Sequence, residues 1–443
     1  MDTLNQYPAI VPDTDVLRFV TAGSVDDGKS TLIGRLLLDS KGVYADQLKS
    51  ISGSRYSRAP DQALDLALLT DGLEAEREQG ITIDVAYRYF ATPRRKFIVA
   101  DAPGHEQYTR NMVTGASTAD AALLLIDATR VTDGQLLAQT TRHATVARLL
   151  ALRHLVIVVN KMDQVDWSQA VFTRIQAACQ HLAQALGLPA VRCLPVSALT
   201  GDNVVHPSAH MPWYDGPALL PLLESLPLDK PAQSQATRMF IQWVIRHNGS
   251  TQQAFRGYAG QLQGGSLRPG DTIQVWPSGE TAQIREIRLG NAALEIARPG
   301  DSITLVLDRE IDISRGDLIT DAQSQPVLSR EFQADVCWLD RQALSPMRRY
   351  WLKQGSRLTQ ARITEVMSRR DIAELQDGLW RGTLGLNDIG RVQIRTRDTL
   401  ALDEYDHQPA TGAFILIDDA SHQTVAAGMV RLTDLQGEKP HSK

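Results

Sequence analysis

One glycine-rich run constrains the fold of this chain more than any other feature. Gly23–Ser30 matches the pattern Gly-x-x-x-x-Gly-Lys-Ser without a gap. It follows an apolar run typical of a buried strand, Val16–Ala22, and opens a helical pattern, Ser30–Leu38. In this setting the glycines let backbone N–H groups curl around a phosphate, and the helix N-terminus adds its positive end. The run therefore predicts a strand–loop–helix unit that binds nucleotide phosphates.

Apolar runs alternate with helical patterns over residues 16 to 226. Several runs are apolar throughout, as expected for parallel strands that are buried on both faces. This alternation predicts a doubly wound α/β domain with a mostly parallel sheet. Asp84–Phe90 is predicted as an antiparallel edge strand. The other predicted strands are Phe97–Asp101, Ala121–Asp127, His154–Asn160 and Val191–Ser197, and the predicted helices include Leu136–Leu150 and Gln169–Leu186.

The pattern changes after a proline-rich stretch, His206–Gln235, which predicts a linker around one short helix, Ala218–Leu226. Beyond Met239, short alternating runs and turn signals such as Arg268–Asp271 predict β-barrels. We expect three domains, at residues 1–230, 236–328 and 329–443. The candidate barrel strands are Thr272–Trp276, Ser302–Leu307, Phe332–Leu339, Ser356–Met367, Ile389–Thr396, Phe414–Asp418 and Thr424–Val430.

Two side chains of the glycine-rich run are expected to act on the nucleotide directly. Lys29 would bridge the β- and γ-phosphates, and the Ser30 hydroxyl would bind Mg²⁺. The predicted nucleotide contacts in this region are Gly23, Ser24, Val25, Asp26, Asp27, Gly28, Lys29, Ser30 and Thr31.

A second motif, Asp-Ala-Pro-Gly-His, closes the strand Phe97–Asp101. A carboxylate at a strand end near the phosphate loop suits a Mg²⁺ ligand. Gly104 has no side chain, so its amide can approach the γ-phosphate. His105 is a candidate for positioning the attacking water, and the alternative is a surface histidine that starts a helix. The predicted nucleotide contacts here are Asp101, Ala102, Pro103, Gly104 and His105.

Thr82 lies in the run Arg77–Ile83, just before the second strand. A threonine here can coordinate Mg²⁺ through its hydroxyl and contact the γ-phosphate through its backbone, so loss of that phosphate would release the loop. The alternative is an ordinary β-branched strand residue. The predicted catalytic residues are Lys29, Thr82 and His105, and the predicted metal ligands are Ser30, Thr82 and Asp101.

A third motif, Asn160–Asp163, reads Asn-Lys-Met-Asp at another strand end. Guanine presents donors at N1 and N2, and one carboxylate can accept both, so Asp163 would select guanine over adenine. Asn160 would hold the purine edge and the neighbouring loops, and the Lys161 stem would lie over the ring. The predicted contacts to the base region are Asn160, Lys161, Met162, Asp163, Ser197, Ala198 and Leu199, with a backbone N–H of the last three offered to guanine O6.

Composition narrows the class of protein. The net charge of −5 gives no global basic field for nucleic acid. No apolar run approaches the ~20 residues that a membrane span needs, and the N-terminus lacks the basic region of a secretory signal. The three cysteines, Cys179, Cys193 and Cys337, fit neither a disulfide framework nor a zinc site. We therefore expect a cytoplasmic protein without nucleic-acid or membrane partners.

Together these motifs resemble the translation-factor class of GTPases, whose members have a G domain followed by two β-barrels. The resemblance rests on Gly23–Ser30, Glu76–Ile83, Asp101–His105 and Asn160–Asp163. It implies an α/β P-loop GTPase domain that binds GTP and Mg²⁺, with two β-barrel domains after it.

Within that class, the chain resembles the large GTPase subunit of bacterial sulfate adenylyltransferase from about residue 10 to 432. The stretches that carry this narrower resemblance are Leu64–Tyr89, Lys96–Gly115, Phe255–Gly260, Glu310–Asp317 and Thr411–Asp418.

This resemblance implies that GTP hydrolysis drives the formation of adenosine 5′-phosphosulfate and pyrophosphate from ATP and sulfate. A separate small catalytic subunit would bind ATP and sulfate and carry out adenylyl transfer, so we expect a heterodimer. The sequence holds no second Gly-x-x-x-x-Gly-Lys-Ser/Thr run, and we expect no adenylylsulfate kinase in this chain.

Two other functions stay open at this point. One is a translation-factor GTPase that delivers aminoacyl-tRNA, because the nucleotide motifs are nearly shared. For that alternative, Arg348–Lys353 would be an RNA-binding face, although a segment with a solvated basic side is the preferred interpretation. The other is a GTP-binding scaffold without hydrolysis, against which Thr82 and His105 argue.

Overall fold

The computed structural model describes residues 15–40, 66, 82, 84–105, 109–131, 134–188, 191–228, 236–247, 255–346, 348–371, 377–380 and 382–432. They form two compact units, one before residue 230 and one from residue 236 onward. The predicted runs Leu64–Tyr89 and Arg77–Ile83 lie largely outside the described residues. The predicted boundary between two barrels near residue 328 stays a prediction.

The first unit is built on a six-stranded sheet. The strand order is β2-β3-β1-β4-β5-β6, and every neighbouring pair is parallel except β2 and β3. The predicted doubly wound α/β fold with one antiparallel edge strand is therefore confirmed. The strands are β1 (Val16–Ala22), β2 (Ala86–Ala91), β3 (Lys96–Asp101), β4 (Ala121–Asp127), β5 (His154–Asn160) and β6 (Arg192–Pro195).

Helices follow the strands and cover the sheet. The N-terminal Ser168 side chain of one of them accepts a hydrogen bond from the Val171 amide, which caps that helix. Among the described residues, no helix has the length and apolarity to cross a membrane. The helices are α1 (Lys29–Asp39), α2 (Thr109–Ala116), α3 (Ala138–Leu149), α4 (Gln169–Ala185) and α5 (Leu219–Ser225), with a 3-10 turn at Met162–Val165.

Strand β4 shows why this sheet forms. All seven of its residues are buried, because helices cover both faces of a parallel sheet. An apolar run of this kind cannot lie at a surface, so Ala121–Asp127 is fixed in the middle of the sheet, between β1 and β5. The carboxyl ends of the parallel strands then meet at one edge.

Two of the cysteines, which are far apart in the sequence, lie next to each other in the fold. Cys179 of α4 and Cys193 of β6 share a hydrogen bond, which together with burial raises the pKa of the Cys179 thiol. All three cysteines are free thiols.

The second unit contains two sheets. In the first, β7 pairs with β14 and β8 pairs with β9. Since β7 and β8 are separated by two residues, one continuous stretch of chain joins both ends of the strand order and closes a barrel. The strands are β7 (Met239–Phe240), β8 (Trp243–His247), β9 (Phe255–Gln261), β10 (Thr272–Trp276), β11 (Thr281–Leu289), β12 (Ala292–Leu294), β13 (Ser302–Leu307) and β14 (Leu318–Asp321).

The second sheet also closes. Its order is β16-β20-β21-β15-β19-β17, and β17 pairs back to β16 to complete a barrel of six strands, with β18 added beside β17. The predicted β-rich architecture is thus confirmed. The elements are β15 (Val327–Trp338), β16 (Tyr350–Gln354), β17 (Arg357–Arg370), β18 (Asp377–Leu379), β19 (Ile389–Leu402), α6 (Pro409–Gly412), β20 (Ala413–Asp418) and β21 (Thr424–Arg431).

Strand β16 differs from the sequence-based interpretation, which assigned no strand to Arg348–Lys353. Tyr350 and Leu352 point into the barrel and are buried, while Lys353 is exposed. The Arg348 guanidinium forms an ion pair with Asp418 at 2.8 Å. Lys353 belongs to this short barrel strand and the two arginines precede it; an alternation of only five residues is too short to stand out from the sequence.

One buried ion pair joins the two sheets of the second unit. Arg238 precedes β7 and Asp403 follows β19, and the guanidinium donates through Nε and Nη2 to the two carboxylate oxygens, both at 2.8 Å. The Arg238 side chain is only 3% exposed. Its Nη1 also donates to the backbone carbonyls of Thr237 and Ser324. A buried ion pair with all its hydrogen bonds made costs little net free energy. Removing one member is strongly destabilising, because it leaves the other charge buried without compensation.

We expect Arg238→Met to lower the free energy of unfolding by about 3 kcal/mol, because it leaves Asp403 charged and largely buried without its partner. The urea unfolding curve of the full chain, followed by tryptophan fluorescence, measures this. The control is Arg395→Met, which breaks an exposed pair with Glu331 (69% and 56% exposed side chains) and should cost below about 1 kcal/mol. Equal losses in the two variants would contradict the structural role of Arg238.

Candidate functional site

Polar residues end the parallel strands of the first unit at one edge of the sheet. Asp101 ends β3, Asp127 ends β4 and Asn160 ends β5, and each is buried. Thr21 lies one residue before the end of β1 and is also buried. Open α/β sheets bind ligands at this carboxyl edge, so the fold itself gathers the predicted site residues there.

The glycines of the phosphate loop are required by its geometry. Gly28 has φ 89°, and a Cβ there would lie 2.4 Å from Asn160 Nδ2. Gly23 has φ 146°, and its Cβ would lie 2.8 Å from the Leu125 carbonyl oxygen. Any side chain at either position would clash and would strain the backbone. The loop therefore packs too tightly against β4 and β5 for any other residue type.

Lys29 lies at the base of this loop. Its Nζ donates to the Ser24 carbonyl at 2.7 Å and to the Gly23 carbonyl at 3.3 Å. Burial lowers the pKa of Lys29, and the nearby carboxylates Asp101 and Asp27 oppose that effect. The ammonium is thus held inside the curl of backbone that the motif predicts for the phosphates.

The second motif reaches the loop through Gly104. A Cβ on Gly104 would lie 2.6 Å from Lys29 Nζ and 2.8 Å from the Val25 amide nitrogen. Gly104 therefore lies directly against the phosphate loop, and no other residue type would fit there. His105 follows it and is exposed at the mouth of the site.

The three predicted metal ligands come together. The Ser30 hydroxyl donates to Asp101 Oδ2 at 2.9 Å, and its oxygen lies 3.4 Å from the Thr82 hydroxyl oxygen. Thr21 donates to the other carboxylate oxygen, Asp101 Oδ1, at 2.9 Å and so orients it. Two hydroxyls and a carboxylate form the all-oxygen donor set that Mg²⁺ prefers, so the residues present fit this ion.

Asn160 links the phosphate loop to the predicted base loop. Its Nδ2 donates to the Asp27 carbonyl at 2.8 Å, and its Oδ1 accepts from the Ala198 amide at 2.9 Å. The side chain is buried. Because the Ala198 N–H is used here, a contact between that amide and guanine O6 needs the Asn160 carboxamide to turn away.

The rest of the predicted base loop surrounds this link. Lys161 has a left-handed backbone (φ 62°), Met162 is buried in the core, and Asp163 is half-buried in the first turn of the 3-10 helix. Ser197 is buried, while Leu199 is 50% exposed and its carbonyl accepts a hydrogen bond from Arg35. The fold brings every described candidate residue to one edge, and their roles in binding and catalysis stay predictions.

Besides Thr21 and Arg35, three further residues contact the site and were missed in the sequence. Asp127 forms an ion pair with Lys161 at 2.7 Å. Arg130 Nη1 donates to the Val25 carbonyl of the phosphate loop at 2.7 Å. His143 of α3 accepts a hydrogen bond from the Gly23 amide. Asp127 could have been found, since it closes an apolar strand just as Asp101 does, whereas the other two carry no local signal.

His143 supports the first turn of the phosphate loop. Its Nδ1 accepts from the Gly23 amide at 2.9 Å, and the ring is buried. Burial, with added repulsion from Lys29 and Arg142, lowers the pKa of His143 to about 3. The imidazole is therefore neutral at physiological pH, and the bond from the Gly23 amide requires the tautomer in which Nδ1 is the unprotonated acceptor.

Comparisons with known proteins decide the family. The family model described as "Elongation factor Tu GTP binding domain" matches residues 14–244, and that described as "GTP-eEF1A C-terminal domain-like" matches residues 331–431. The sulfate adenylyltransferase subunit 1 of Laribacter hongkongensis is 46% identical over 99% of this chain and 90% of its own length. The chain belongs to the sulfate adenylyltransferase subunit 1 family. It is an enzyme with a GTP-binding domain of the elongation factor Tu type.

Other relatives agree with this assignment. Subunit 1 of Rhizobium meliloti is 49% identical over 95% of this chain and 83% of its own. The bifunctional enzyme CysN/CysC of Mycobacterium tuberculosis is 49% identical over 96% of this chain and 69% of its own. Among solved structures, the GTPase-like domain of S. cerevisiae Ski7 superimposes with a TM-score of 0.52 at 15% identity, covering 94% of this chain and 97% of that one, which supports the fold.

The neutral state of His143 predicts a pH dependence of stability. The folded-state pKa of about 3 lies below the ordinary value near 6.5, so below pH ~6.5 the unfolded chain binds a proton that the folded chain excludes. This contribution is complete above that pH and is lost by about 1.4 kcal/mol per pH unit as the pH falls further.

The comparison variant is His143→Asn, whose side-chain oxygen can still accept from the Gly23 amide but does not titrate. Between pH 7.5 and pH 5.5, wild type should lose about 1.4 kcal/mol more free energy of unfolding than the variant. Urea unfolding of both proteins at the two pH values measures the difference. Parallel losses would show that His143 is not buried in its neutral form.

Proposed function

We propose that this chain is the GTPase subunit of a sulfate adenylyltransferase. In this proposal, GTP hydrolysis drives the formation of adenosine 5′-phosphosulfate and pyrophosphate from ATP and sulfate. The observation that carries it is the identity of 46% to a sulfate adenylyltransferase subunit 1 over 99% of the chain. The convergence of the phosphate loop, Asp101 and Thr82 at one edge supports a site for hydrolysis.

The nucleotide would lie along the carboxyl edge of the sheet. Its phosphates would occupy the curl formed by Gly23–Ser30, where Lys29 replaces its present carbonyl partners with phosphate oxygens. Its base would lie beside Asn160–Asp163, with the Asp163 carboxylate accepting from guanine N1 and N2. The Asn160 side chain would set the distance between these two ends, because it bonds to both loops.

The residues Ser30, Thr82 and Asp101 would hold Mg²⁺. A bound Mg²⁺ neutralises charge on the β- and γ-phosphate oxygens during phosphoryl transfer. The ordering of Thr82 next to Ser30 would then depend on the γ-phosphate end of the nucleotide, which is how a switch loop distinguishes the triphosphate from the diphosphate.

The hydrolysis step would depend on groups fixed before reaction. The Lys29 ammonium lies inside the loop, so once it exchanges the Gly23 and Ser24 carbonyls for phosphate oxygens it would stabilise negative charge on the bridging oxygen. Gly104 leaves room for a γ-phosphate oxygen beside Lys29 and the Val25 amide. His105, exposed beside Gly104, would orient the attacking water toward phosphorus.

Adenylyl transfer would take place on a second, small subunit that binds ATP and sulfate. The name "subunit 1" borne by the relatives supports such a partner. The mixed anhydride of phosphate and sulfate is strongly unfavourable to form, so a coupled hydrolysis supplies the driving force. The thermodynamic link requires that the partner bind the GTP and GDP states of this chain with different affinity.

The purified chain alone should hydrolyse GTP slowly and should release no pyrophosphate when given ATP and sulfate. With the small subunit present, sulfate and ATP should accelerate GTP turnover, because hydrolysis is coupled to the partner's reaction. Phosphate and pyrophosphate release measure the two activities. Sulfate-dependent pyrophosphate release by the chain alone would overturn the proposed division of roles.

A gel shift with aminoacyl-tRNA separates this function from that of a translation factor. The sulfate enzyme is expected to give no specific shift. Tight binding that weakens with salt would favour the aminoacyl-tRNA carrier instead.

The role of Asp163 predicts a change of nucleotide preference. Asp163→Asn should weaken GTP binding about 100-fold, because two charge-assisted hydrogen bonds to guanine are lost. The same variant should bind xanthosine triphosphate more tightly than GTP, since the new amide can donate to the oxygen at C2 of xanthine. Competition against a fluorescent nucleotide measures both affinities.

The matched control is Asp166→Asn, three residues further along the same segment, where the side chain is exposed. It removes the same charge without touching the base site, so its nucleotide preference should equal that of wild type. If Asp163→Asn keeps its preference for GTP, Asp163 does not read the base.

A further inference from the structure

The two carboxylate oxygens of Asp127 contact different parts of the site. It is the last residue of β4 and lies directly across from Asn160 in the register of β4 and β5. Its Oδ1 accepts from the Thr129 amide at 2.9 Å and from the Thr129 hydroxyl at 2.6 Å. Its Oδ2 lies 2.7 Å from Lys161 Nζ. One oxygen therefore holds the turn after β4, and the other holds the lysine of the base loop.

This carboxylate is charged in the folded chain. Its side chain is only 2% exposed, and burial alone would raise the pKa of Asp127. Hydrogen bonds from Lys161 and Thr129 outweigh that effect and lower the pKa. A buried carboxylate of this kind needs its cation, so the ion pair with Lys161 is the state that the fold favours.

Lys161 is fixed at both ends. Its backbone has φ 62° and ψ 36°, a left-handed conformation that turns the chain from β5 into the 3-10 helix. Its ammonium is fixed by Asp127 on the neighbouring strand. The four-carbon stem therefore stretches from the end of β5 toward the end of β4, beside Asn160 and two residues before Asp163. A free lysine would lose considerable rotamer freedom on taking this position.

We propose that Asp127 is a positioning residue for the guanine site, which holds the Lys161 stem in place against the face of the base. The inference rests on the proposed binding of GTP at these loops. The side-chain entropy of Lys161 is lost on folding rather than on nucleotide binding. The base would therefore pack against an apolar lysine stem that is already in place beside the Asp163 carboxylate. Asp127 acts at the base end of the site, so GTP and GDP should depend on it equally.

The test is a double-mutant cycle with Asp127→Asn and Lys161→Met. Asp127→Asn is isosteric, so Oδ1 can keep its bonds to Thr129 while the amide that replaces Oδ2 repels the lysine. Dissociation constants for GDP and GTP are measured by fluorescence titration on the full chain. Asp127→Asn is expected to weaken both nucleotides about tenfold, as loss of one charge-assisted contact does. In the Lys161→Met background, the same change is expected to weaken binding less than twofold.

The matched control is Asp120→Asn, at the other end of β4, where the carboxylate accepts from the Arg18 amide. It removes an aspartate beside the same strand but far from the carboxyl edge, and its affinities should equal those of wild type. If Asp127→Asn does not fold, the ion pair is tested from the lysine side. Lys161→Arg, which keeps the charge, should then bind at least fivefold more tightly than Lys161→Met, which keeps only the stem.

Three results that concern both nucleotides alike would overturn the inference. They are unchanged affinity in Asp127→Asn, an equal loss in the wild-type and Lys161→Met backgrounds, and equal affinities of Lys161→Arg and Lys161→Met. A loss for GTP but not for GDP would place the effect at the phosphates and would also overturn it. If wild type itself binds no guanine nucleotide, the proposed function fails, which is a different outcome from any of these.

Discussion

The carboxamide of Asn160 is the interaction on which the geometry of the site depends. It ends β5, is buried, and bonds with both of its polar atoms, to the Asp27 carbonyl on one side and the Ala198 amide on the other. Neither loop can shift without leaving a buried polar group unsatisfied, which costs about 1–3 kcal/mol for each group. The phosphate loop and the base loop are therefore held at a fixed separation before any nucleotide arrives. Gly28 is part of the same junction, because only a glycine lets the loop pass so close to Asn160 Nδ2.

A second layer of contacts keeps this junction rigid. His143 accepts from Gly23 at the start of the loop, Arg130 donates to Val25 at its crest, and Asp127 holds Lys161 of the base loop. All three come from β4, its following loop and α3. Residues of β4, its following loop and α3 thus hold both the phosphate loop and the base loop in place before a nucleotide binds.

The sequence predicts the sheet, the closed β-rich part and the cluster of Ser30, Thr82 and Asp101, because each follows from a local pattern. The glycine spacing, the apolar strands and the strand-end motifs are all contiguous. The supporting residues are different, since their roles arise only when distant segments meet. His143 lies 120 positions from Gly23, and nothing in its helix distinguishes it from a core histidine. Strand β16 was missed because Arg348–Lys353 is charged at both ends and alternates over too few residues.

The same reasoning applies to the second unit. Arg238 and Asp403 are 165 residues apart, and no sequence pattern relates them, yet their bidentate pair fixes one sheet against the other. Because the ion pair holds the two sheets together, the second unit can move as one rigid body. The proposed coupling would use such rigidity, since a partner can respond to the nucleotide state only through elements with discrete arrangements.

The most direct measurement of the proposed role is the position of the equilibrium that the complete enzyme reaches. The chain and its small subunit are supplied with ATP and sulfate, and adenosine 5′-phosphosulfate is quantified with GTP and with an analogue that resists hydrolysis. If hydrolysis drives sulfate activation, the product with GTP will exceed the amount that ATP and sulfate alone sustain, in proportion to the GTP consumed. Product that stops at the same level with both nucleotides would contradict the proposal, because GTP would then affect the rate and not the driving force.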